Sequence, residues 1–210
     1  MNTFSFFFVL SLIYTTVASI AVEIGAALDG DGVEIMFLNR QGRSNVRSVE
    51  EVKDLFKTPP SGNTPLGEAC RRAFAKLSPV KPLLVLMATG LVSRRFIHIF
   101  MCFAKNFVFA SVTDGVPNNL DEFTRELKSR DANRIFVSIL ACSDNEQEIG
   151  YLNGLDKSVP HLDVIDDYVS EKKEVMRRNP DFGEAYSLGD HCARFILGPI
   201  FSKYDSLDGF

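Results

Sequence analysis

Two residues carry oxygen atoms where an α/β chain commonly does chemistry. They are Thr64, in Ser61-Gly62-Asn63-Thr64-Pro65-Leu66-Gly67, and Asp114, in Val112-Thr113-Asp114-Gly115. The first stretch ends a loop and opens a helix; the second ends an apolar strand. A hydroxyl and a carboxylate are hard donors of the kind magnesium takes, about six oxygens in near-octahedral array with several of them water. On two loops brought side by side they make part of a divalent-cation site. Each residue also has an ordinary reading. Thr64 before Pro65 fits a helix N-cap followed by the first helical position, and Asp114-Gly115 fits a turn.

The elements that must position these residues follow from hydrophobic periodicity. Residues 20–28 read as the end of a helix, broken by Asp29-Gly30-Asp31-Gly32, and residues 33–38 as a largely buried strand. Val49, Val52, Leu55 and Phe56 share one helical face, as do Leu66, Ala69, Ala73 and Leu77 in residues 65–77. The apolar run 82–88 reads as a central parallel strand covered on both faces. Residues 120–129 read as an amphipathic helix, 135–141 as a buried strand, 144–155 as a helix with Asp144 as its N-cap, 162–165 as a short strand and 187–200 as a closing helix. Alternating strands and helices predict an α/β fold: a doubly wound, mostly parallel sheet with helices on both faces. Ligands of such sheets sit outside the carboxyl ends of the strands, where Asp114 and Ser143-Asp144 fall.

At these residues the chain resembles a von Willebrand factor type A domain, nearer its intracellular-type members, over about residues 20–208. The resemblance rests on Asp31-Gly32-Val33-Glu34-Ile35-Met36-Phe37-Leu38-Asn39, on Gly62-Asn63-Thr64-Pro65-Leu66-Gly67, on Lys81-Pro82-Leu83-Leu84-Val85-Leu86-Met87-Ala88 and on Thr113-Asp114-Gly115-Val116-Pro117. It implies a Rossmann-like fold with a metal ion-dependent adhesion site built by three loops. The second loop's threonine maps onto Thr64 and the third loop's aspartate onto Asp114. The implied ion is Mg2+, or Mn2+ or Ca2+, and the implied activity is binding a protein ligand through an acidic side chain, not catalysis.

The chain departs from that pattern twice. The first loop's Asp-x-Ser-x-Ser is absent, because no aspartate precedes Asp29; the slot of the first strand is taken by residues 1–19. With Thr64 and Asp114 alone, only weak metal binding is expected. The second departure is an insert at about 90–113, rich in phenylalanine, between Thr89 and the Asp114 loop. It reads either as a real hairpin or helix over the metal face, touching a membrane or a partner, or as translated non-coding sequence. The second reading is preferred, because residues 1–19 share its composition. Residues 107–112 also read as a strand leading into Asp114, in competition with residues 83–88, which are favoured for the sheet.

Residues 1–19 themselves look like a secretory signal, apolar from Phe4 to Tyr14 and ending in Val17-Ala18-Ser19, but without a leading basic residue. Taken at face value they suggest secretory entry; a cytoplasmic home follows if they are an artefact. The net charge of −4 offers no basic footprint for nucleic acid. Cys70, Cys102, Cys142 and Cys192 form no CxxC pair and read as buried thiols. His98, His161 and His191 are scattered. Asp163, Asp166 and Asp167 read as a solvated face or a helix start, and Glu171-Lys172-Lys173-Glu174 as an exposed helix face. No nucleophile elbow, dinucleotide fingerprint or P-loop is present. The sequence therefore points to a protein-interaction module with an incomplete metal site. Two alternatives stand beside it: a metal-assisted hydrolase-like or phosphate-handling enzyme using Asp114 and Asp144, and a nonfunctional fragment.

Overall fold

The computed structural model describes residues 15–16, 18–27, 30–58, 62–77, 83–89, 100–103, 107–112, 116–141 and 146–205. Helix α1 covers residues 18–27. It is followed by β1 (Val33–Met36), β2 (Arg43–Val46), α2 (Val49–Phe56), α3 (Leu66–Phe74), β3 (Leu83–Thr89), β4 (Phe100–Phe103), β5 (Phe107–Val112), α4 (Leu120–Ser129), β6 (Ile135–Ala141), α5 (Glu146–Ser158), β7 (Leu162–Asp166), α6 (Tyr168–Arg178), α7 (Pro180–Ala185), α8 (Leu188–Leu197) and α9 (Ser202–Asp205).

The fold is mixed α/β, and the expectation of a doubly wound, mostly parallel sheet is corrected. The strand order is β2-β1-β4-β5-β3-β6-β7. Its β1–β2, β1–β4 and β4–β5 pairs are antiparallel. Only β3–β5, β3–β6, β6–β7 and a single β1–β5 bridge are parallel. The reason lies in connection length. Short links between β1 and β2 and between β4 and β5 allow only a hairpin, since a parallel return needs a longer crossover. The competition between residues 107–112 and residues 83–88 also resolves differently from expectation. Both enter the sheet, as β5 and β3, paired in parallel from Leu84↔Phe107 to Thr89↔Val112.

Two apolar clusters flank the sheet, because alternate residues of a strand face opposite ways. Ala18, Ala21 and Val22 of α1, Val52 of α2 and Cys192, Phe195 and Ile196 of α8 pack with Ile35, Leu140 and Ile165. Leu66, Ala69 and Ala73 of α3, Phe123 and Leu127 of α4 and Leu152 and Leu155 of α5 pack with Val85, Val137 and Ile139. Local signals fix the helix starts. Ser48 and Glu51 form a capping box on α2, Ser187 and Asp190 one on α8, and Asn119 caps α4.

A buried polar knot joins α6, the turn after α7 and α8. Glu171 and Arg194 form an ion pair and both are buried. The Tyr186 hydroxyl lies 3.2 Å from Nδ1 of the buried His191. Burial first, and the Arg194 charge second, push His191 down from 6.5 to about 4. The unfolded chain therefore takes up a proton below pH 6.5 that the folded chain refuses until about pH 4. Stability is full above pH 6.5 and falls as the pH drops through that window, by on the order of 3 kcal/mol. Urea unfolding of wild type and His191→Gln at pH 7, 5.5 and 4.5 checks this: the variant is expected to flatten the slope over this window.

Candidate functional site

The Thr64 loop meets the segment that enters α4 at Asn118. Thr64 N–H donates to Asn118 Oδ1 at 3.0 Å, and Asn118 N–H donates back to the Thr64 carbonyl at 3.1 Å. A third loop, just after β1, joins them: Asn39 Nδ2 donates to the Asn63 carbonyl at 2.7 Å. Gly62 permits that approach, with φ at +99° and the space of a Cβ already filled by the Asn39 side chain 2.7 Å away. Thr64 is 2% exposed and Pro117 is buried, while Asn39, Gly62, Asn63, Val116, Asn118 and Asn119 are exposed. The result is a fixed face of amide groups beside the apolar Val116 and Leu120.

One expectation changes here, and two fall on residues that are not described. Helix α3 begins at Leu66 with Pro65 in the capping position and no side-chain cap, so Thr64 is not its N-cap. Asp114 lies outside the described residues, as do Asp144 and the helix cap expected of it; of the residues that follow Asp114, Asn118 is bonded to Thr64. Asn118 and Asn39, which tie the loops together, were not singled out from sequence, although Asn118 follows directly on the Asp114-Gly115-Val116-Pro117 string that was. Elsewhere, Cys70 and Cys192 are buried free thiols as expected. Burial raises the Cys70 thiol well above its ordinary range and Cys192 to about 11. His161 Nδ1 lies 3.1 Å from the Pro199 carbonyl. Asp167 does start a helix, capping α6, but Asp163 is buried instead of solvated, and Glu171 is buried instead of exposed. Cys142 and the whole 90–113 segment, His98 and Cys102 included, carry no described side chains.

No family profile, no curated protein and no solved structure matches this chain.

Of the two expected ligands of a divalent cation, Thr64 lies among the described residues and Asp114 does not. The Thr64 side chain is buried, and the side chains of Asn39 and Asn118 each make one hydrogen bond to the backbone of the Asn63-Thr64 loop. Among the described residues no group of three or more histidine, cysteine, aspartate or glutamate side chains is placed to hold a metal. Thr64 alone would leave most of an octahedral shell to water. Isothermal titration with MgCl2 or MnCl2 is expected to give no binding tighter than about millimolar, the weak end of natural hard-cation sites. Sub-millimolar binding lost in Asp114→Ala would show a working ion site instead. Among the described residues no helix is long and apolar enough to cross a membrane.

Proposed function

We propose that the chain is a non-catalytic protein-interaction module that presents the Thr64/Asp114 loop face to a protein ligand. The observation that carries this reading is the reciprocal pair of hydrogen bonds between Thr64 and Asn118. It supports a face set in one geometry before any partner arrives, so that little ordering entropy opposes association. The face also has the composition a recognition surface needs. Exposed amides offer directional hydrogen bonds, and Val116 and Leu120, 45% and 38% exposed, offer apolar contact. The likeness of the Thr64 and Asp114 stretches to the second and third loops of von Willebrand factor A adhesion sites supports the same assignment. It does so through the motifs alone, since the sheet is not of that family's kind.

Site-specific photo-crosslinking tests the reading. A photoreactive phenylalanine at Val116 is expected to give a discrete protein adduct in extracts of the source cells. The same probe at Lys173 on α6 is expected to give none, and Asn118→Ala is expected to abolish the Val116 adduct. Equal labelling from both positions, or turnover of generic phosphoesters by the purified chain, would overturn it.

A further inference from the structure

A second site lies away from the loop face. A cleft of about 510 Å³ opens between the turn joining β1 to β2 and the C-terminal end of α3. It is lined by the cations Arg40, Arg43, Arg72 and Lys76 against one carboxylate, Glu34, with Phe37 in its wall. That concentration of positive charge stands out in a chain of net charge −4. Its size is that of a small-molecule site, which typically spans about 300–1,000 Å³.

The four cations are not equally engaged. Lys76 pairs with Glu34 at 2.9 Å. Arg43 stands close enough to Glu51 and Asp54 to favour their charged forms. Arg40 and Arg72 are different, since each is anchored by a carbonyl and neither meets a carboxylate among the described residues. Arg40 Nη2 donates to the Leu55 carbonyl at 2.9 Å, and its guanidinium lies 3.7 Å over the Phe37 ring. Arg72 Nη2 donates to the Leu38 carbonyl at 3.3 Å. Two guanidinium groups are therefore fixed in position at one cleft with no counter-charge on them among the described residues. Partial burial lowers the Arg40 pKa, as expected of a cation drawn from water without an anion beside it. A guanidinium held in place is suited to paired hydrogen bonds with the oxygens of a phosphate or carboxylate.

We propose that this cleft is an oxyanion-binding site, in which Arg40 and Arg72 grip the phosphate or carboxylate groups of a small multiply charged molecule. Arg43 and Lys76 add attraction at the rim. The site is separate from the loop face and stands whether or not that face binds protein.

Titration with sodium pyrophosphate and with sodium citrate at constant ionic strength, followed by calorimetry and by amide chemical shifts, tests this. Saturable sub-millimolar binding is expected, with shifts centred on Gly42, Ser44 and Ala75. Arg72→Gln, at an exposed position, is expected to weaken binding by about tenfold or more, the loss of one charge-assisted bidentate contact. Arg40→Gln should do the same. Arg71→Gln should have no effect, because Arg71 pairs with Glu122 at 2.7 Å and Glu126 at 2.9 Å. Binding of pyrophosphate alone assigns the site to phosphate-bearing ligands, and of citrate alone to polycarboxylates; either supports the proposal. No saturable binding of either anion, shifts centred elsewhere, or an equal loss in Arg71→Gln would overturn it.

Discussion

Arg194→Met is expected to destabilise the fold by about 3–5 kcal/mol, the cost of leaving a buried charge without its partner. Arg194 and Glu171 have 1% and 3% exposed side chains, so water cannot replace the lost contact. The damage would spread through the knot. Glu171 Oε2 also accepts the Asp166 N–H at 3.3 Å, which ties α6 to the end of β7. Burial first, with the Glu171 charge adding to it, already holds the Tyr186 phenol well above its ordinary range. A double variant, Glu171→Leu with Arg194→Met, is expected to recover most of the loss, since an apolar pair removes both desolvation costs together. Urea denaturation of the three proteins at pH 7 measures the difference. A single variant within about 1 kcal/mol of wild type would mean that the pair is hydrated in solution, because exposed pairs contribute only that much.

Arg130→Ala is the second change with a large expected effect, of similar size. Arg130 is buried at the end of α4 and serves carbonyls from three places in the chain. Nη1 donates to Leu127 at 2.6 Å and Nε to Ile135 at 3.1 Å, while Nη2 donates to Pro160 and, at 2.9 Å, to His161. It thus fastens the end of α4 to the start of β6 and to the turn entering β7. Burial lowers its pKa to about 10, so it remains a cation at neutral pH. Truncation orphans several buried acceptors, each costing about 1–3 kcal/mol when unsatisfied. A total of about 3–5 kcal/mol allows for partial relaxation and entering water. Arg130→Lys is expected to recover little, because an ammonium on a flexible stem cannot span the same fork of carbonyls. Urea denaturation reads both variants, and a lysine variant as stable as wild type would contradict the fork geometry.

Neither interaction was legible in the sequence, and the reason is physical. Glu171 sits in Glu171-Lys172-Lys173-Glu174, which has the charge pattern of an exposed helix face, and its partner lies 23 residues away. Periodicity reports which face of an element is apolar, not which polar side chain is drawn under a neighbouring helix. Where one periodic signal dominates, the reading succeeded closely: residues 120–129 and 135–141 are a helix and a strand with those same bounds. It failed at β2, whose Arg-Ser-Asn-Val is exposed at three of four positions and carries no buried alternation. It failed again at β4, where a phenylalanine-rich stretch without period hid a strand; residues 107–112 did read as a strand, but as a rival of residues 83–88 and not as its neighbour in the sheet. Missing β2 and β4, which take part in all three antiparallel pairs, turned a mixed sheet into an expected parallel one. The site was legible in part. The motif picked out Thr64, but the hydrogen bonds from Asn118 and Asn39 that fix its loop depend on tertiary approach and leave no spacing in the chain.

The functional reading rests on the Thr64 and Asn118 loops being one joined face, and amide hydrogen exchange tests that directly. Both N–H groups are donated across the junction, so both are expected to exchange at least about tenfold slower than an open loop amide, with Asn118→Ala releasing Thr64. Exchange of both amides at unprotected rates in the wild-type chain would show two independent loops and would contradict the account.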